Sequence, residues 1–225
     1  MLVNDDVIHA SHVLSSEPIA EANHRIANSL AAVAGLVQHE LARFGRSDGT
    51  VSVAEARDIL AEVKARILAV ARLHGAMSQQ PADPSIDAGL YIQQIAREVV
   101  TSLARPSSVT LRFAGEIGCP IDPARALHLG MIVIELITNA IKYAHPTGVH
   151  GEIVVACRRV PAGLAVEVAD DGVGLPEGFI LETDGHTGLR LVRSLARQVG
   201  ADVSFRNEAL GLRCVIEVPL TRVTG

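Results

Sequence analysis

The sequence predicts an α+β protein in which a long helical hairpin is followed by a sandwich of helices on one face of a mostly antiparallel, mixed sheet. Two apolar stripes with helical spacing indicate the hairpin. Farther along the chain, strand runs alternate with helices, and many of the strands are joined as hairpins, which favours the sandwich. The composition agrees, because 48% of the 225 residues are hydrophobic and 20% are charged, as is typical of a folded protein.

The hairpin is predicted from residues 17–44 and from a second stretch that ends near residue 78, where apolar side chains recur every three or four positions. Between them, GRSDGT (45–50) breaks the pattern with two glycines. A hairpin this long cannot bury both stripes by itself, so we expect two copies to form a four-helix bundle and the protein to be a homodimer. The polar, proline-containing segment SQQPADPS (78–85) reads as a boundary. We therefore expect a hairpin domain at 1–79, a linker at 80–86 and a second domain at 87–225.

The second domain is expected to contain helices at 87–104, 123–144 and 187–200, strands at 108–116, 151–160 and 163–170, and a last hairpin across Leu210 and Gly211. Asp122 is predicted as the N-cap of the middle helix, with Pro123 in its first turn. Gly200 is predicted as the C-cap of the last helix.

Charge and cysteine content exclude several classes of function. The net charge is −5 and no basic stripe is present, so we expect no nucleic-acid partner. The three cysteines are far apart and odd in number, which predicts reduced thiols in a cytoplasmic protein. No run approaches the ~18 apolar residues of a membrane span. The N-terminus carries two acids and no basic region, unlike a signal peptide.

The segment EANHRIANSL (21–30) places a histidine on the outer face of the first helix. His24 lies ~200° around the helix from Ala22 and Ile26 of the apolar stripe. Glu21 and Asn28 share its face through spacings of three and four. This argues against a buried structural histidine, although an incidental surface histidine remains an alternative. A metal ligand is disfavoured because no Cys, Asp or second His stands three or four positions later.

The segment ELITNAIKYA (135–144) places Glu135, Asn139 and Lys142 one turn apart on one helix face. Because the other faces are apolar, we expect these groups to line a cleft. An amide oxygen suits Mg²⁺, which prefers oxygen ligands and shares its sphere with phosphates and water. Lys142 can neutralise phosphate charge. The alternative is an ordinary amphipathic helix.

A strand runs into DDGVGLP (170–176), which gives D-x-G-x-G from Asp170, Gly172 and Gly174. A carboxylate at a strand end can accept a hydrogen bond from an exocyclic amine such as that of adenine, and the glycines leave room for a flat base. The alternative is a tight turn. HTGLRLV (186–192) then begins a helix whose free N–H groups can bind phosphate. P-loop and Rossmann sites are disfavoured, since neither glycine motif is present.

The order of these motifs resembles the ATP-binding domain of the GHKL (Bergerat) family, which includes histidine kinases, type II topoisomerases, heat-shock chaperone ATPases and mismatch-repair ATPases. EANHRIAN resembles the phosphoacceptor motif E-x-x-H-R-x-x-N of the second HisKA-type histidine kinases, relatives of the HWE kinases. The two motif sets in this order favour a sensor histidine kinase, built of a dimerisation-histidine hairpin and a GHKL domain, over other GHKL members. The HWE tryptophan is absent, because the chain has no tryptophan.

The resemblance implies a role for each candidate residue. His24 would be phosphorylated, in a motif completed by Glu21 and Asn28, with ATP and Mg²⁺ bound by the second domain. A response-regulator receiver domain would accept the phosphoryl group, and a separate sensor protein could supply the input. The ATP site would consist of Glu135, Asn139 as the Mg²⁺ ligand, Lys142, Tyr143, Asp170, Gly172, Gly174, Thr187 and Gly188, with a lid at 176–187.

The sequence therefore predicts an ATP-dependent protein-histidine kinase of a two-component system. One alternative is a histidine phosphotransfer adaptor that relays phosphate between receiver domains and retains a vestigial ATP-binding domain. Another is a GHKL ATPase or serine kinase that acts on a partner, with His24 incidental. Labelling with ATP distinguishes these hypotheses, because each predicts the phosphate on a different acceptor or from a different donor.

Overall fold

The computed structural model describes residues 34–35, 52–79, 85–104, 108–179 and 187–220. The chain divides into two compact units, Met1–Val51 and Ser52–Gly225. The predicted first helix, with His24, Glu21 and Asn28, lies outside the described residues. The domain limits 1–79, 80–86 and 87–225 stay a prediction, while the helix that begins at Val53 belongs to the same compact unit as the sheet.

The second unit contains four α-helices and seven strands among its described residues. Helix α1 spans Val53–Gln79, α2 Ala88–Leu103, α3 Pro123–Asn139 and α4 Thr187–Gln198, and a π-helical turn at Ala140–Ala144 continues α3. The strands are β1 Ile86–Asp87, β2 Val109–Phe113, β3 Pro120–Ile121, β4 Gly151–Val160, β5 Gly163–Asp170, β6 Asp202–Asn207 and β7 Leu212–Pro219. The predicted α+β class is confirmed.

The main sheet has five strands in the order β2-β4-β5-β7-β6. Strand β2 runs parallel to β4, and the other neighbours are antiparallel. The predicted hairpins β4–β5 and β6–β7 are therefore present in a mixed sheet. A short bridge between β1 and β3, with Ile86 opposite Ile121, was not predicted from the sequence, because two-residue strands leave no periodicity.

Helix α3 is the centre of the helical layer. It contacts α1, α2 and α4, and every residue from Leu129 to Thr138 is buried. A helix that is apolar on all sides needs neighbours on all sides. By length and composition the 22-residue segment Pro123–Ala144 could also cross a membrane, but 67% of the window that passes this test is buried inside the protein. That burial is expected of the core helix of a folded domain.

Local sequence signals set the ends of these helices. Asp87 caps α2 by accepting a hydrogen bond from the backbone N–H of Leu90 at 3.1 Å. Asp122 caps α3 by accepting from the backbone N–H of Arg125 at 3.0 Å, with Pro123 in the first turn. Gly200 follows α4 with φ +66°, a conformation that glycine adopts without strain. The predicted caps of α3 and α4 are present.

Helix α1 has two faces that carry apolar residues. One face packs against α2 and α3 and includes the buried side chains of Ala65, Ala69 and Leu73. Another face leaves large apolar residues exposed at intervals of seven, namely Val53, Leu60 and Ile67. The first face fixes α1 to the domain, and the second is without cover among the described residues.

Candidate active site

A cavity of about 320 Å³ opens at the C-terminal end of α3. Its walls come from α3 and the π-helical turn, from the end of β5 and the loop after it, and from α4 and β7. The lining residues are Leu136, Asn139, Ala140, Tyr143, Ala144, Val168, Asp170, Val173, Gly174, Leu175, Pro176, Phe179, Leu189, Leu212 and Cys214. A mostly apolar cavity with a few convergent polar groups is typical of a small-molecule site.

Asn139, the last residue of α3, and Tyr143 of the π-helical turn both lie in the cavity wall. The sequence predicted one regular helix to residue 144, but the α-helix ends at Asn139 and the wider turn follows. Such turns are rare and occur often at functional sites. Asn139 supplies an amide oxygen, and the exposed ring of Tyr143 forms part of the rim.

Asp170, the last residue of β5, also lines the cavity. Its carboxylate accepts hydrogen bonds from the backbone N–H groups of Gly172 at 3.0 Å and Leu212 at 3.3 Å. Burial raises the pKa of Asp170, and these two hydrogen bonds only partly oppose that shift. A fixed, half-buried carboxylate is a suitable acceptor for the amine of a flat base.

The two glycines after Asp170 are required by close approaches of the backbone. A Cβ on Gly172 would lie 2.3 Å from the carbonyl oxygen of Ala144, and the next residue, Val173, donates its N–H to that oxygen at 2.9 Å. Gly174 has φ +69°, and a Cβ there would lie 2.8 Å from Oδ1 of Asn207. The D-x-G-x-G loop is thereby fixed against the π-helical turn.

The remaining apolar wall was not predicted from the sequence. Leu136, Leu189 and Leu212 come from three separate elements, and Cys214 lies beside them. Burial raises the pKa of Cys214 to about 12, so its thiol stays protonated and acts as a small apolar group. Periodicity alone identifies such residues as core, and only the sheet order shows that they meet at a cavity.

Glu135 and Lys142 do not line the cavity, which corrects the prediction that they share one cleft with Asn139. They face α1 instead. The Glu135 carboxylate accepts a hydrogen bond from Arg66 at 2.7 Å, and Lys142 is paired with Glu62. The physical reason is charge complementarity, because α1 presents one acid and one base one turn apart.

Gly188 meets Glu135 from the opposite side. A Cβ on Gly188 would lie 1.9 Å from Oε1 of Glu135, so glycine allows the N-terminus of α4 to approach this carboxylate. Negative charge is favourable at a helix N-terminus. Thr187 begins α4, and Phe179 of the predicted lid lines the cavity. Residues 180–186 lie outside the described residues, as does the histidine motif at 21–28.

The residues present fit a magnesium nucleotide. The cavity joins apolar walls to one amide oxygen and one carboxylate, Asn139 and Asp170. Among the described residues no group of three or more His, Cys, Asp or Glu side chains could hold a metal ion. Asn139 is therefore the candidate ligand, which agrees with the preference of Mg²⁺ for few protein ligands together with phosphates and water.

Two family models match the chain. The model described as "Histidine kinase" (HisKA_2) matches residues 21–103. The model described as "Histidine kinase-, DNA gyrase B-, and HSP90-like ATPase" (HATPase_c) matches residues 124–222. The first match contains the histidine motif, and the second contains most of the cavity-lining residues.

Similar proteins carry the same pair of segments within longer chains. The sequence is 32% identical over 213 residues to sensor histidine kinase PdtaS of Mycobacterium tuberculosis. This alignment covers 91% of this chain and 40% of that protein. It is 28% identical over 207 residues to blue-light-activated histidine kinase 2 of Erythrobacter litoralis. This alignment covers 91% of this chain and 57% of that protein. The chain thus spans less than two thirds of either relative.

A solved structure has a similar fold. The histidine kinase domain of a blue-light activated histidine kinase from Erythrobacter litoralis superimposes with a TM-score of 0.68 at 22% identity. The match covers 89% of this chain and 93% of that one.

Proposed function

Since the chain belongs to the histidine kinases that join a HisKA_2 segment to a HATPase_c domain, we propose that it phosphorylates His24 from ATP and passes the phosphoryl group to a response-regulator aspartate. The observation that carries this proposal is the cavity at the end of α3, where Asn139, Tyr143 and Asp170 converge. The histidine motif at 21–28 supplies the acceptor.

The cavity residues bind and orient the nucleotide. Asp170 accepts a hydrogen bond from the adenine amine, and the apolar wall excludes water from the base. Asn139 would hold Mg²⁺, which would neutralise phosphate charge. Phosphoryl transfer demands mainly positioning and charge neutralisation from a protein, and this division of roles supplies both.

His24 acts as the nucleophile through a neutral ring nitrogen. A bond forms between that nitrogen and the γ-phosphorus, the bond from the γ-phosphorus to the bridging oxygen breaks, and ADP leaves. Glu21 lies one turn before His24 and can accept the N–H of the other ring nitrogen, which fixes the tautomer. Asn28 lies one turn after it on the same face. In the second transfer the N–P bond breaks and an aspartate carboxylate of the receiver domain takes the phosphoryl group.

Dimerisation and signal input are further parts of the proposal. The exposed apolar residues Val53, Leu60 and Ile67 are spaced by seven on α1, as expected of a helix that packs in a bundle. We assign this face to the dimeric hairpin. A sensor outside this sequence provides the stimulus. The three cysteines are free and buried, which supports a reducing, cytoplasmic location.

Incubation of the full chain with γ-labelled ATP and Mg²⁺ tests the proposal. We expect acid-labile, base-stable label on the chain, its loss in His24→Gln, and its transfer to a receiver domain. The matched control is His12→Gln, a nearby histidine outside the motif, which should label normally. Label that arrives only from a phosphorylated receiver domain would indicate a phosphotransfer adaptor, and label on a partner's serine would indicate a serine kinase.

A further inference from the structure

Four charged side chains form a buried cluster between α1 and the end of α3. Glu62 and Arg66 of α1 are 2% and 3% exposed, and Glu135 of α3 is 6% exposed. Arg66 lies 2.7 Å from Glu135 and 4.0 Å from Glu62. Glu62 also pairs with Lys142, whose side chain is 27% exposed. The cluster contains two acids and two bases in the alternating order Glu135, Arg66, Glu62 and Lys142.

The cluster lies next to the nucleotide site. Glu135 precedes Asn139 by one helical turn, and Lys142 follows it within the π-helical turn. Asn139 and Tyr143 line the cavity, while Lys142, the residue before Tyr143, points to α1. The ammonium group that could neutralise the phosphates of a nucleotide is therefore held by a carboxylate of α1.

Arg66 allows Lys142 to leave its contact with Glu62. A buried carboxylate that loses its only cation becomes strongly unfavourable. Glu62 keeps the guanidinium of Arg66 at 4.0 Å when Lys142 moves away, so no buried acid is left alone. Lys142 is also the most exposed member of the cluster, and its flexible stem allows the ammonium group to move without a shift of the helix.

We propose that Glu62 is an internal competitor of the nucleotide phosphates for Lys142. With Lys142 paired to Glu62, the site binds the base but lacks one cation for the phosphates. When Lys142 turns to the phosphates, Arg66 stays in contact with both Glu62 and Glu135. This inference rests on the proposed function, since it assumes that the cavity takes ATP. It adds a residue of the hairpin, Glu62, that sets how tightly the phosphates are bound.

Binding of ATP and adenosine to the full chain tests the inference, because only ATP carries the competing phosphates. Glu62→Gln should tighten the binding of Mg²⁺–ATP by about two- to fivefold, the effect of one partly exposed ion pair, and leave adenosine binding unchanged. Lys142→Gln should weaken ATP binding, again without an effect on adenosine. The double variant Glu62→Gln, Lys142→Gln should bind ATP no more tightly than Lys142→Gln, because the two residues act through one contact.

Glu98→Gln is the matched control. Glu98 of α2 pairs with the exposed Arg72 of α1, so the change removes another acid–base contact of α1, and neither residue lines the cavity. It should leave the binding of both ligands unchanged. Glu62→Asp keeps the charge with a shorter side chain, and a smaller gain in ATP affinity is expected from it if Glu62→Gln fails to fold.

The outcomes separate the two proposals. If the wild-type chain binds no ATP, the proposed function fails and this inference fails with it. If the wild type binds ATP and the folded Glu62 variants bind it equally or more weakly, the competitor role of Glu62 is wrong while the proposed function stands. An equal gain for adenosine and ATP also contradicts the inference, because adenosine has no phosphate.

Discussion

The two sides of α3 differ in the way they meet their neighbours. One side, with Leu136, Asn139 and Tyr143, borders a cavity whose wall is mostly apolar. The other side, with Glu135 and Lys142, is closed by charged residues of α1. Five residues of one motif, ELITNAIKY, thus supply both part of a cavity wall and a contact with α1. The spacing of residues on a helix face does not show whether that face borders a cavity or contacts another helix.

The largest expected effect is on the charged side. Arg66→Met removes the guanidinium that contacts both buried carboxylates and leaves Glu135 without its ion-pair partner, so we expect the free energy of unfolding to fall by about 3–5 kcal/mol. Urea denaturation measures this. Arg72→Met is the control, since the Arg72–Glu98 pair is more exposed than the buried cluster, and a change below about 1 kcal/mol is expected. Equal losses of unfolding free energy for the two variants would show that the buried cluster stabilises the fold no more than the Arg72–Glu98 pair does.

The second effect is on the cavity side. Asp170→Asn replaces a charged acceptor with an amide, and we expect ATP affinity to fall by about 10- to 100-fold, as for loss of a hydrogen bond to a charged group. The fold should be retained, because Asn can still accept from the N–H groups of Gly172 and Leu212. Calorimetric titration measures the affinity. The neighbouring variant Asp171→Asn changes a residue outside the cavity lining and should bind ATP normally. An equal loss of ATP affinity in Asp171→Asn would show that the effect is not specific to Asp170.

A smaller effect tests a buried hydroxyl of α3 that has no hydrogen-bond partner among the described residues. Thr138→Val keeps the shape of the side chain and removes a buried polar atom without a partner among the described residues. We expect a gain in the free energy of unfolding of about 1 kcal/mol. Thr101→Val, at an exposed position of α2, is the control and should change stability by a few tenths at most. A loss of stability at Thr138 would reveal a hydrogen bond that the structure does not contain.

The last effect, on ligand affinity, distinguishes the two adjacent aspartates by pH. Burial raises the pKa of Asp170. For Asp171, partial burial is outweighed by hydrogen bonds from the N–H of Glu152 and from His145, which lower its pKa. As pH falls through the raised pKa, Asp170 takes up a proton, and adenosine affinity should decline by at most about tenfold per pH unit. Adenosine is the better probe, because its binding is free of phosphate titration.

The stability contributions of the two groups have opposite signs. The ionised Asp170 is disfavoured in the fold, so its unfavourable contribution shrinks as pH falls. The lowered pKa of Asp171 gives stability above the unfolded pKa that is lost as pH falls through the folded pKa. In Asp170→Asn the pH dependence of adenosine binding should vanish, and in Asp171→Asn it should remain. Persistence of the dependence in Asp170→Asn would assign it to another group.

Much of the fold was predictable from local signals. Asp122, Pro123 and Gly200 mark helix ends through side-chain chemistry that acts within one turn, and the hairpins around residues 161 and 211 follow from turn residues between strand runs. The parallel pairing of β2 with β4 and the β1–β3 bridge were not predicted. They depend on contacts between distant segments, which leave no period in the sequence.

In the candidate site, too, residues with local sequence signals were predicted and contacts between distant segments were not. Asp170, Gly172 and Gly174 were predicted because a strand end and a glycine turn are local, and Asn139 was predicted from a helix motif. The partners of Glu135 and Lys142 were not, because Glu62 and Arg66 lie about 70 to 80 residues away in sequence. Both are charged residues on a helix that was expected to bury only apolar side chains. Their spacing of four residues was visible in the sequence. It indicates an acid–base pair on one face of a helix, but it does not identify the distant residues that this pair contacts.

The most direct test of the central claim is to map the phosphate on the full chain after incubation with ATP and Mg²⁺, by mass spectrometry of peptides kept at neutral to basic pH. The account predicts one phosphorylated peptide that contains His24, and at subsaturating ATP it predicts slower phosphorylation of that peptide in Asp170→Asn, because this change weakens ATP binding. Phosphate on any other residue, or phosphorylation of His24 that persists in Asp170→Asn at the wild-type rate, would contradict it.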